Sequence, residues 1–164
     1  MKKTQKKLGN KGFSLVELIV VIAIMAVLVG VLAPTLIRNV EKSRESTDLQ
    51  NLDSIRQSVV TAVSTEAVAK ELDTTNGNVV AYSDITVSST NNLAKALYEE
   101  MNEDGTLSVA MKSAAASKSS NTIQIKITAN GKVSVGVYSK APTTTTAGTV
   151  VNCARTKSTS FISE

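Results

Sequence analysis

The sequence predicts an α+β protein in which a long N-terminal helix packs on a small antiparallel β-sheet. Three patterns support this prediction: a charge-free apolar run at residues 18–37, a one-sided apolar stripe at residues 49–63, and rows of alternating isoleucine and valine at residues 122–138. Because helical and strand patterns occupy separate stretches of the chain, they favour α+β over alternating α/β. The length of 164 residues indicates one domain rather than several.

Positive charge is concentrated at residues 1–12. This segment holds five lysines and no acid, whereas the rest of the chain has 13 basic and 14 acidic residues, a net charge of −1. The overall net charge of +4 therefore reflects the N-terminus. Because a nucleic-acid surface needs an excess of basic residues on a folded face, nucleic acid is not expected as a direct high-affinity ligand.

The apolar run at residues 18–37 predicts a transmembrane helix. At about 1.5 Å per residue its length is about 30 Å, which matches the hydrocarbon core of a bilayer. The preceding lysines place the N-terminus in the cytoplasm and the rest of the chain outside. An ordinary secretory signal peptide is the alternative, but the run exceeds a usual signal core, and Pro34 follows the only small-residue cleavage pattern, which ends at Ala33.

The residues around the start of this run resemble the leader and N-terminal segment of type IV pilins and their type II secretion pseudopilin relatives. The resemblance rests on the sequence KGFSLVEL at residues 11–18 and covers about the first 45 residues. In that family a short basic leader ends in glycine, an aromatic residue begins the mature chain, and glutamate is its fifth residue. Gly12, Phe13 and Glu17 match these positions, and Pro34 matches a proline that loosens the helix in many pilins.

This resemblance implies that a prepilin peptidase cleaves after Gly12 and N-methylates Phe13, and that Glu17 aligns each incoming subunit. It implies three further partners: the membrane itself, an assembly machinery with a membrane platform and an ATPase, and other copies in a helical homopolymer. The protein would begin as a single-pass precursor in the cytoplasmic membrane and end in an extracellular filament for adhesion, motility or DNA uptake. The alternatives are a pseudopilin of a secretion or competence system and an anchored surface domain that never polymerises.

Membrane energetics give Glu17 and Pro34 physical roles beside the resemblance. A carboxylate costs on the order of 2.5–3.5 kcal/mol at mid-membrane depth and less near the interface, so Glu17 is expected to have a partner. Cleavage would place the amine of Phe13 one helical turn away; alternatively, Glu17 extends to the cytoplasmic headgroups. Pro34 removes a backbone donor and weakens the helix around Gly30.

The implied organisation has four parts: a cleaved leader at residues 1–12, a transmembrane assembly helix at 13–37, the amphipathic half of the same helix at 38–72, and an α+β head at 73–164. The amphipathic half is predicted from apolar residues at three-and-four spacing, namely Leu49, Leu52, Ile55, Val59, Ala62 and Val63. Its charged residues are expected on a solvated face, with pairs Arg44–Asp48 and Glu66–Lys70.

The head begins with turn-forming residues at 73–78, and residues 79–87 fit either a loop or one short strand. A helix is predicted at residues 90–102, capped by Thr90 or Asn91, with Leu93, Leu97 and Met101 on its inner face. We expect a turn at Asp104-Gly105, a strand at residues 107–111 and a loop at residues 113–120. The threonine-rich stretch from Ala141 is expected to be a solvated loop.

The clearest strand signal is a hairpin within residues 122–138. A two-residue turn at Asn130-Gly131 would put the isoleucine and valine rows on opposite faces, although directly opposed residues share a face. Pairing Ile127 with Val133 keeps both rows together and leaves the loop 129–131, with Gly131 in a left-handed bulge. This face is expected to pack on the helix stripe, and Gly136 lies on the other, polar face.

The composition disfavours an enzyme. The chain has no histidine, no phosphate-binding glycine loop and no calcium-loop spacing of acids, so we expect no catalytic residues, cofactor or metal ligands. The single cysteine, Cys153, cannot form the intramolecular disulfide that closes the C-terminal region of many Gram-negative pilins. We expect it to be a small buried apolar side chain.

Overall fold

The computed structural model describes residues 12–102, 109–143, 146–154 and 160–164. These residues divide into two units, one that ends at Arg38 and one that begins at Asn39. The elements in chain order are α1 (Leu15–Val63), α2 (Glu66–Ala69), β1 (Asn78–Ala81), a 3-10 turn (Tyr82–Asp84), α3 (Asn92–Asn102), β2 (Thr122–Ile127), β3 (Val133–Tyr138) and β4 (Ile162–Ser163). The predicted α+β class is confirmed.

The N-terminal unit is the apolar part of α1. Its best 18-residue window has a mean hydropathy of 3.1, and none of that window is buried within the protein. By length and composition this helix is able to cross a membrane. Because so much apolar surface is unfavourable in water, it needs a covering of lipid or of other protein.

In the C-terminal unit, α1 contributes the predicted stripe to the hydrophobic core. Leu52, Ile55 and Val59 are fully buried, Ala62 is nearly so, and the flanking members Leu49 and Val63 are half-buried against them. The isoleucine and valine rows of the sheet belong to the same cluster. The predicted packing of the stripe against the inner sheet face is therefore confirmed.

The predicted continuation of the helix to Leu72 is wrong, because α1 ends at Val63 and the separate short helix α2 follows. Thr65 has an extended backbone, with φ −81° and ψ 149°. The Ser64 hydroxyl donates to the Val60 carbonyl and the Thr65 hydroxyl to the Ala62 carbonyl. Ser54 and Thr61 make the same kind of bond within the unbroken part of α1, so these bonds accompany the break and do not by themselves cause it.

The four-stranded antiparallel sheet has the order β1-β2-β3-β4. Ile127 pairs with Val133, Ile125 with Val135 and Ile123 with Val137, so the predicted register is confirmed. Gly131 has φ +77°, and its N–H donates to the Thr128 carbonyl, in keeping with the predicted left-handed position.

The outer face of the sheet, opposite α1, is more covered than the alternating pattern suggests. Gln124 on this face is fully buried, where its amide nitrogen donates to the Lys140 carbonyl and its oxygen accepts the Gly148 N–H at 3.0 Å. Gly136 is buried there too, and a Cβ on it would lie 2.8 Å from the Phe161 carbonyl oxygen. The C-terminal segment therefore packs on a face that the sequence marks as polar.

The remaining elements resolve the open alternatives. Residues 79–87 contain the end of β1 and a 3-10 turn, and Asn91 rather than Thr90 caps α3 by accepting the Ala94 N–H at 3.2 Å. The inner residues of α3 are buried as predicted, namely Leu93, Leu97 and Met101. Residues 113–120 form turns without a helix or strand, as expected.

The strand predicted at residues 107–111 is wrong over its described part, 109–111, while the predicted turn at Asp104-Gly105 lies outside the described residues. The backbone N–H groups that follow, at Lys112 and Ser113, bond to a side chain of α1 rather than to a neighbouring strand. A ladder therefore does not form in this segment.

The C-terminus closes the core. Phe161 is fully buried, and Cys153 is a buried free thiol, as expected. Ser163 on β4 ties the strand to α1, because its hydroxyl donates to Asp53 at 2.9 Å and accepts from Arg56 Nε at 3.0 Å.

Candidate functional site

The expected cleavage junction lies outside any helix. Gly12 and Phe13 precede α1, both are exposed, and the Phe13 side chain is 80% exposed. A Cβ built on Gly12 meets no atom within 4 Å. A side chain at this position is therefore compatible with the fold, and any requirement for glycine must come from an enzyme that binds the junction.

Glu17 closes the first turn of α1. Its Oε2 accepts the backbone N–H of Ser14 at 2.9 Å, and Ser14 immediately precedes the helix. This is the glutamate half of a capping box, in which the third helical residue reaches back to the residue before the helix. A carboxylate in the first turn also interacts favourably with the helix dipole. The sequence Ser14-Leu15-Val16-Glu17 carries the signal for this cap, which the sequence analysis missed.

Pro34 lies within α1, which continues through it. Proline has no N–H, so the Gly30 carbonyl lacks its usual helical donor, and a Cβ on Gly30 meets nothing within 4 Å. The structure brings Gly12, Phe13 and Glu17 together at the start of α1. It places Pro34 about 25 Å further along the helix, taking about 1.5 Å per residue.

A second set of functional candidates, absent from the sequence prediction, is a row of buried carboxylates on α1. Glu41, Glu45 and Asp48 are 9%, 1% and 0% exposed. Glu41 Oε1 accepts the Ala114 N–H, and Glu45 Oε1 accepts the Ala154 N–H at 2.8 Å. These bonds attach two distant loops to the first turns of α1 in the C-terminal unit.

Asp48 is the most heavily bonded of the three. Oδ1 accepts the Lys112 N–H at 2.8 Å, and Oδ2 accepts both the N–H of Ser113, at 2.8 Å, and its hydroxyl. Hydrogen bonds to an ionised carboxylate are stronger than neutral ones, and several are needed to offset the loss of water around a buried charge. The hydrogen bonds of Asp48 therefore hold the loop at residues 112–114 against α1.

The predicted pair Arg44–Asp48 on a solvated face is wrong, since Asp48 faces inward. Arg44 instead pairs with Glu41, with 3.6 Å between Arg44 Nη1 and Glu41 Oε2. The predicted pair of Glu66 and Lys70 is confirmed, because Lys70 Nζ lies 2.9 Å from Glu66 Oε1. The three buried acids continue the three-and-four spacing of the apolar stripe toward the N-terminus, and this spacing was the available signal.

Several carboxyl and phenol groups have perturbed proton affinity. Hydrogen bonds from Ser163, Arg56 and Gln57 lower the pKa of Asp53 below 3.8. Burial raises the pKa of Tyr82 to about 12. Within the described ranges, no group of three or more His, Cys, Asp or Glu side chains is arranged to hold a metal ion.

Comparison with known proteins identifies the N-terminal segment. Residues 7–33 match the family model described as the prokaryotic N-terminal methylation motif. No curated protein and no solved structure matches this chain. The match spans the junction, Glu17 and most of the apolar run, and it points to a structural pilin-type protein rather than an enzyme. The chain therefore carries at residues 7–33 the methylation motif that is characteristic of type IV pilin-like prepilins.

Proposed function

We propose that this protein is the precursor of a structural subunit of a type IV pilus or pilus-like surface filament. The observation that carries the proposal is the methylation motif at residues 7–33, whose junction is exposed and is followed directly by an unburied apolar helix. An exposed junction suits a peptidase, and the bare helix suits a polymer in which helices cover one another.

In this proposal a prepilin peptidase hydrolyses the Gly12–Phe13 bond and methylates the new amine of Phe13. The leader, residues 1–12, is then lost. The amine remains a cation after a single methylation, and the Glu17 carboxylate is available close by in the first turn of the helix. Glu17 then pairs with the amine of its own chain or of a neighbour, because an unpaired carboxylate is unfavourable in lipid.

Residues 13–37 hold the subunit in the cytoplasmic membrane, with the C-terminal unit outside. A membrane platform and its ATPase move the subunit into a helical homopolymer at the cell surface. Pro34 supplies a weak point in the helix, because the Gly30 carbonyl has no helical donor. Burial of apolar surface between neighbouring helices supplies the lateral contact, at about 25 cal/mol per Å².

Intact-mass measurement of protein sheared from the cell surface tests the proposal. We expect a chain that begins at Phe13 and carries one added methyl group. A surface form that retains Met1, or that begins at Pro34, contradicts the proposed processing.

Variants at Gly12 separate processing from folding. A Cβ on Gly12 meets no atom within 4 Å and the residue precedes α1, so we expect both Gly12→Ala and Gly12→Trp to fold. We expect Gly12→Ala to be processed and Gly12→Trp to accumulate as full-length precursor in the membrane. Equal processing of both variants would show that the peptidase does not recognise this residue.

A non-polymerising anchored surface domain is the second candidate, and the cap at Ser14 favours it. Because Glu17 already accepts the Ser14 N–H, the carboxylate has a role within a single chain. A short secretion or competence pseudopilin would carry the same motif. Electron microscopy of the sheared fraction separates the three: long filaments, short assemblies or none.

A further inference from the structure

The C-terminal unit contains two Asn-Gly pairs, Asn76-Gly77 and Asn130-Gly131. In such a pair the backbone nitrogen of glycine is able to attack the side-chain carbonyl carbon of asparagine, because glycine has no side chain to obstruct the approach. One pair lies in the turn before β1, and the other lies in the turn between β2 and β3. The two pairs have the same local chemistry, so a difference in their reactivity must come from the fold.

The glycine N–H is hydrogen-bonded in both turns. The Gly77 N–H donates to the Asp73 carbonyl at 3.1 Å, and the Gly131 N–H donates to the Thr128 carbonyl at 2.8 Å. Each glycine nitrogen must therefore leave its acceptor before it reacts. Because this requirement applies to both pairs, it does not distinguish them.

Asp73 restrains the first pair. Asn76 Nδ2 donates to Asp73 Oδ2 at 3.0 Å, and the Asn76 backbone N–H donates to Asp73 Oδ1 at 3.1 Å. Hydrogen bonds to a carboxylate are stronger than neutral ones. Gly77 is also buried, and a Cβ on it would lie 2.8 Å from the Ile127 carbonyl oxygen. The side chain and the backbone of this pair are therefore both held in place.

The second pair lacks both restraints. Asn130 and Gly131 are exposed at the end of the hairpin, and a Cβ on Gly131 meets no atom within 4 Å. Among the described residues, the Asn130 side chain has no hydrogen-bond partner. Exposed turns with few buried contacts open at a low free-energy cost. The Asn130 side chain is therefore able to reach the Gly131 nitrogen when the turn opens.

We propose that Asn130 is a site of spontaneous deamidation in the folded protein and that the fold protects Asn76. A bond forms between the Gly131 nitrogen and Asn130 Cγ, the Cγ–Nδ2 bond breaks, and ammonia leaves with the proton from the Gly131 nitrogen. The cyclic imide then takes up one water molecule. Hydrolysis at one imide carbonyl gives aspartate, and hydrolysis at the other gives isoaspartate. Water is the co-reactant, and no oxidant or reductant is needed.

The reaction changes the hairpin loop in two ways. Both products replace the neutral Asn130 amide by a carboxylate. Isoaspartate also adds one carbon to the main chain of the loop, whose ends are joined by the hydrogen bond from the Thr128 N–H to the Lys132 carbonyl at 3.0 Å. The modification needs no enzyme, so it accumulates with the age of the chain. It does not depend on the proposed filament function.

The full-length chain in detergent, aged at neutral pH, tests the proposal. Tandem mass spectrometry of the tryptic peptides 71–95 and 127–132 measures the two sites separately, and an unaged sample corrects for conversion during digestion. We expect Asn130 to convert at least about tenfold faster than Asn76, because release of a hydrogen bond to a carboxylate slows a reaction by about this factor or more. In urea the two rates should become comparable. Equal rates in the folded chain, or faster conversion of Asn76, would overturn the proposal.

Variants test the cause of the difference. Asp73→Ala removes both acceptors of Asn76, and we expect conversion of Asn76 to rise about tenfold while that of Asn130 is unchanged. Asp84→Ala, which removes another exposed acid from the same tryptic peptide, is the matched control and should change neither rate. No gain at Asn76 in Asp73→Ala would contradict the proposed protection.

Isoaspartate gives an independent readout through labelling by an isoaspartyl methyltransferase. Aged wild-type chain should be labelled, and Asn130→Gln should lose most of the label, because glutamine would have to form a less favourable six-membered ring. Equal labelling of the two chains would place the isoaspartate at another residue and overturn the proposal.

Discussion

Asp48 should be the most sensitive polar residue of the C-terminal unit. Asp48→Ala removes three hydrogen bonds to a carboxylate, two from Ser113 and one from Lys112. Such bonds are each worth about 1.5–3 kcal/mol, but three on one side chain are not additive. We expect a loss of about 3–5 kcal/mol, because the three donors lose their acceptor and each unsatisfied buried donor costs about 1–3 kcal/mol. This is a large share of the roughly 5–15 kcal/mol that stabilises a typical domain.

The isosteric variant Asp48→Asn should lose less, about 1–3 kcal/mol, because one oxygen remains while the new amide meets a backbone donor. Glu66→Ala is the control, since its exposed pair with Lys70 is worth about 0.3–0.5 kcal/mol. Thermal melts of the detergent-solubilised chain should show Asp48→Ala lower by roughly 10–20 °C. Amide exchange should show lost protection at Lys112 and Ser113 with protection at Ile125 retained. A melt within the error of Glu66→Ala, with unchanged protection at Ser113, would refute the reasoning.

Four further predictions follow from the geometry. Glu17→Gln keeps an oxygen for the Ser14 cap but removes the charge, so the ratio of sheared filament to membrane-retained protein should fall if Glu17 pairs with the amine of Phe13 during assembly; a normal filament yield from this variant would assign Glu17 to the cap alone. Leu52→Asp should cost several kcal/mol by burying an unpaired charge, as measured by the loss of a cooperative melt. Because the folded pKa of Asp53 is below 3.8, its contribution is present above that pH and is lost as the pH falls through and below it; Asp53→Asn should therefore melt with a weaker pH dependence in this acid range. Gly136→Ala should cost about 1–3 kcal/mol, because its Cβ forces β4 away from β3, and amide exchange at Val137 should rise.

The hairpin shows what a sequence can determine by itself. Opposed residues must share a face, and this rule excluded the two-residue turn and fixed the pairing of Ile127 with Val133. The apolar stripe of α1 was equally predictable, because helical periodicity depends only on neighbouring residues. Gly12 and Phe13 were identified by resemblance to a family, and their role as a cleavage junction stays a prediction.

The buried acids show what local sequence reasoning leaves out. Glu41 and Asp48 look solvated because acids usually are, and their donors come from loops 64 to 73 residues away in the sequence. The spacing of residues in the sequence does not show which backbone N–H groups will donate to these carboxylates. The early end of α1 at Val63 was not predictable from its hydroxyl residues either, because Ser54 and Thr61 bond to nearby carbonyls within the regular helix just as Ser64 does at its end.

The row of carboxylates has a consequence for chimaeric proteins. The structure divides into two units after Arg38, and the turns of α1 just beyond that point accept hydrogen bonds from the Ala114 and Ala154 N–H groups. An exchange of C-terminal units between related subunits should therefore be joined before Glu41. With a junction placed after Asp48, the loops would come from one protein and the carboxylates at positions 41, 45 and 48 from the other. The transplanted C-terminal unit would then lack the acceptors that its own loop N–H groups bind.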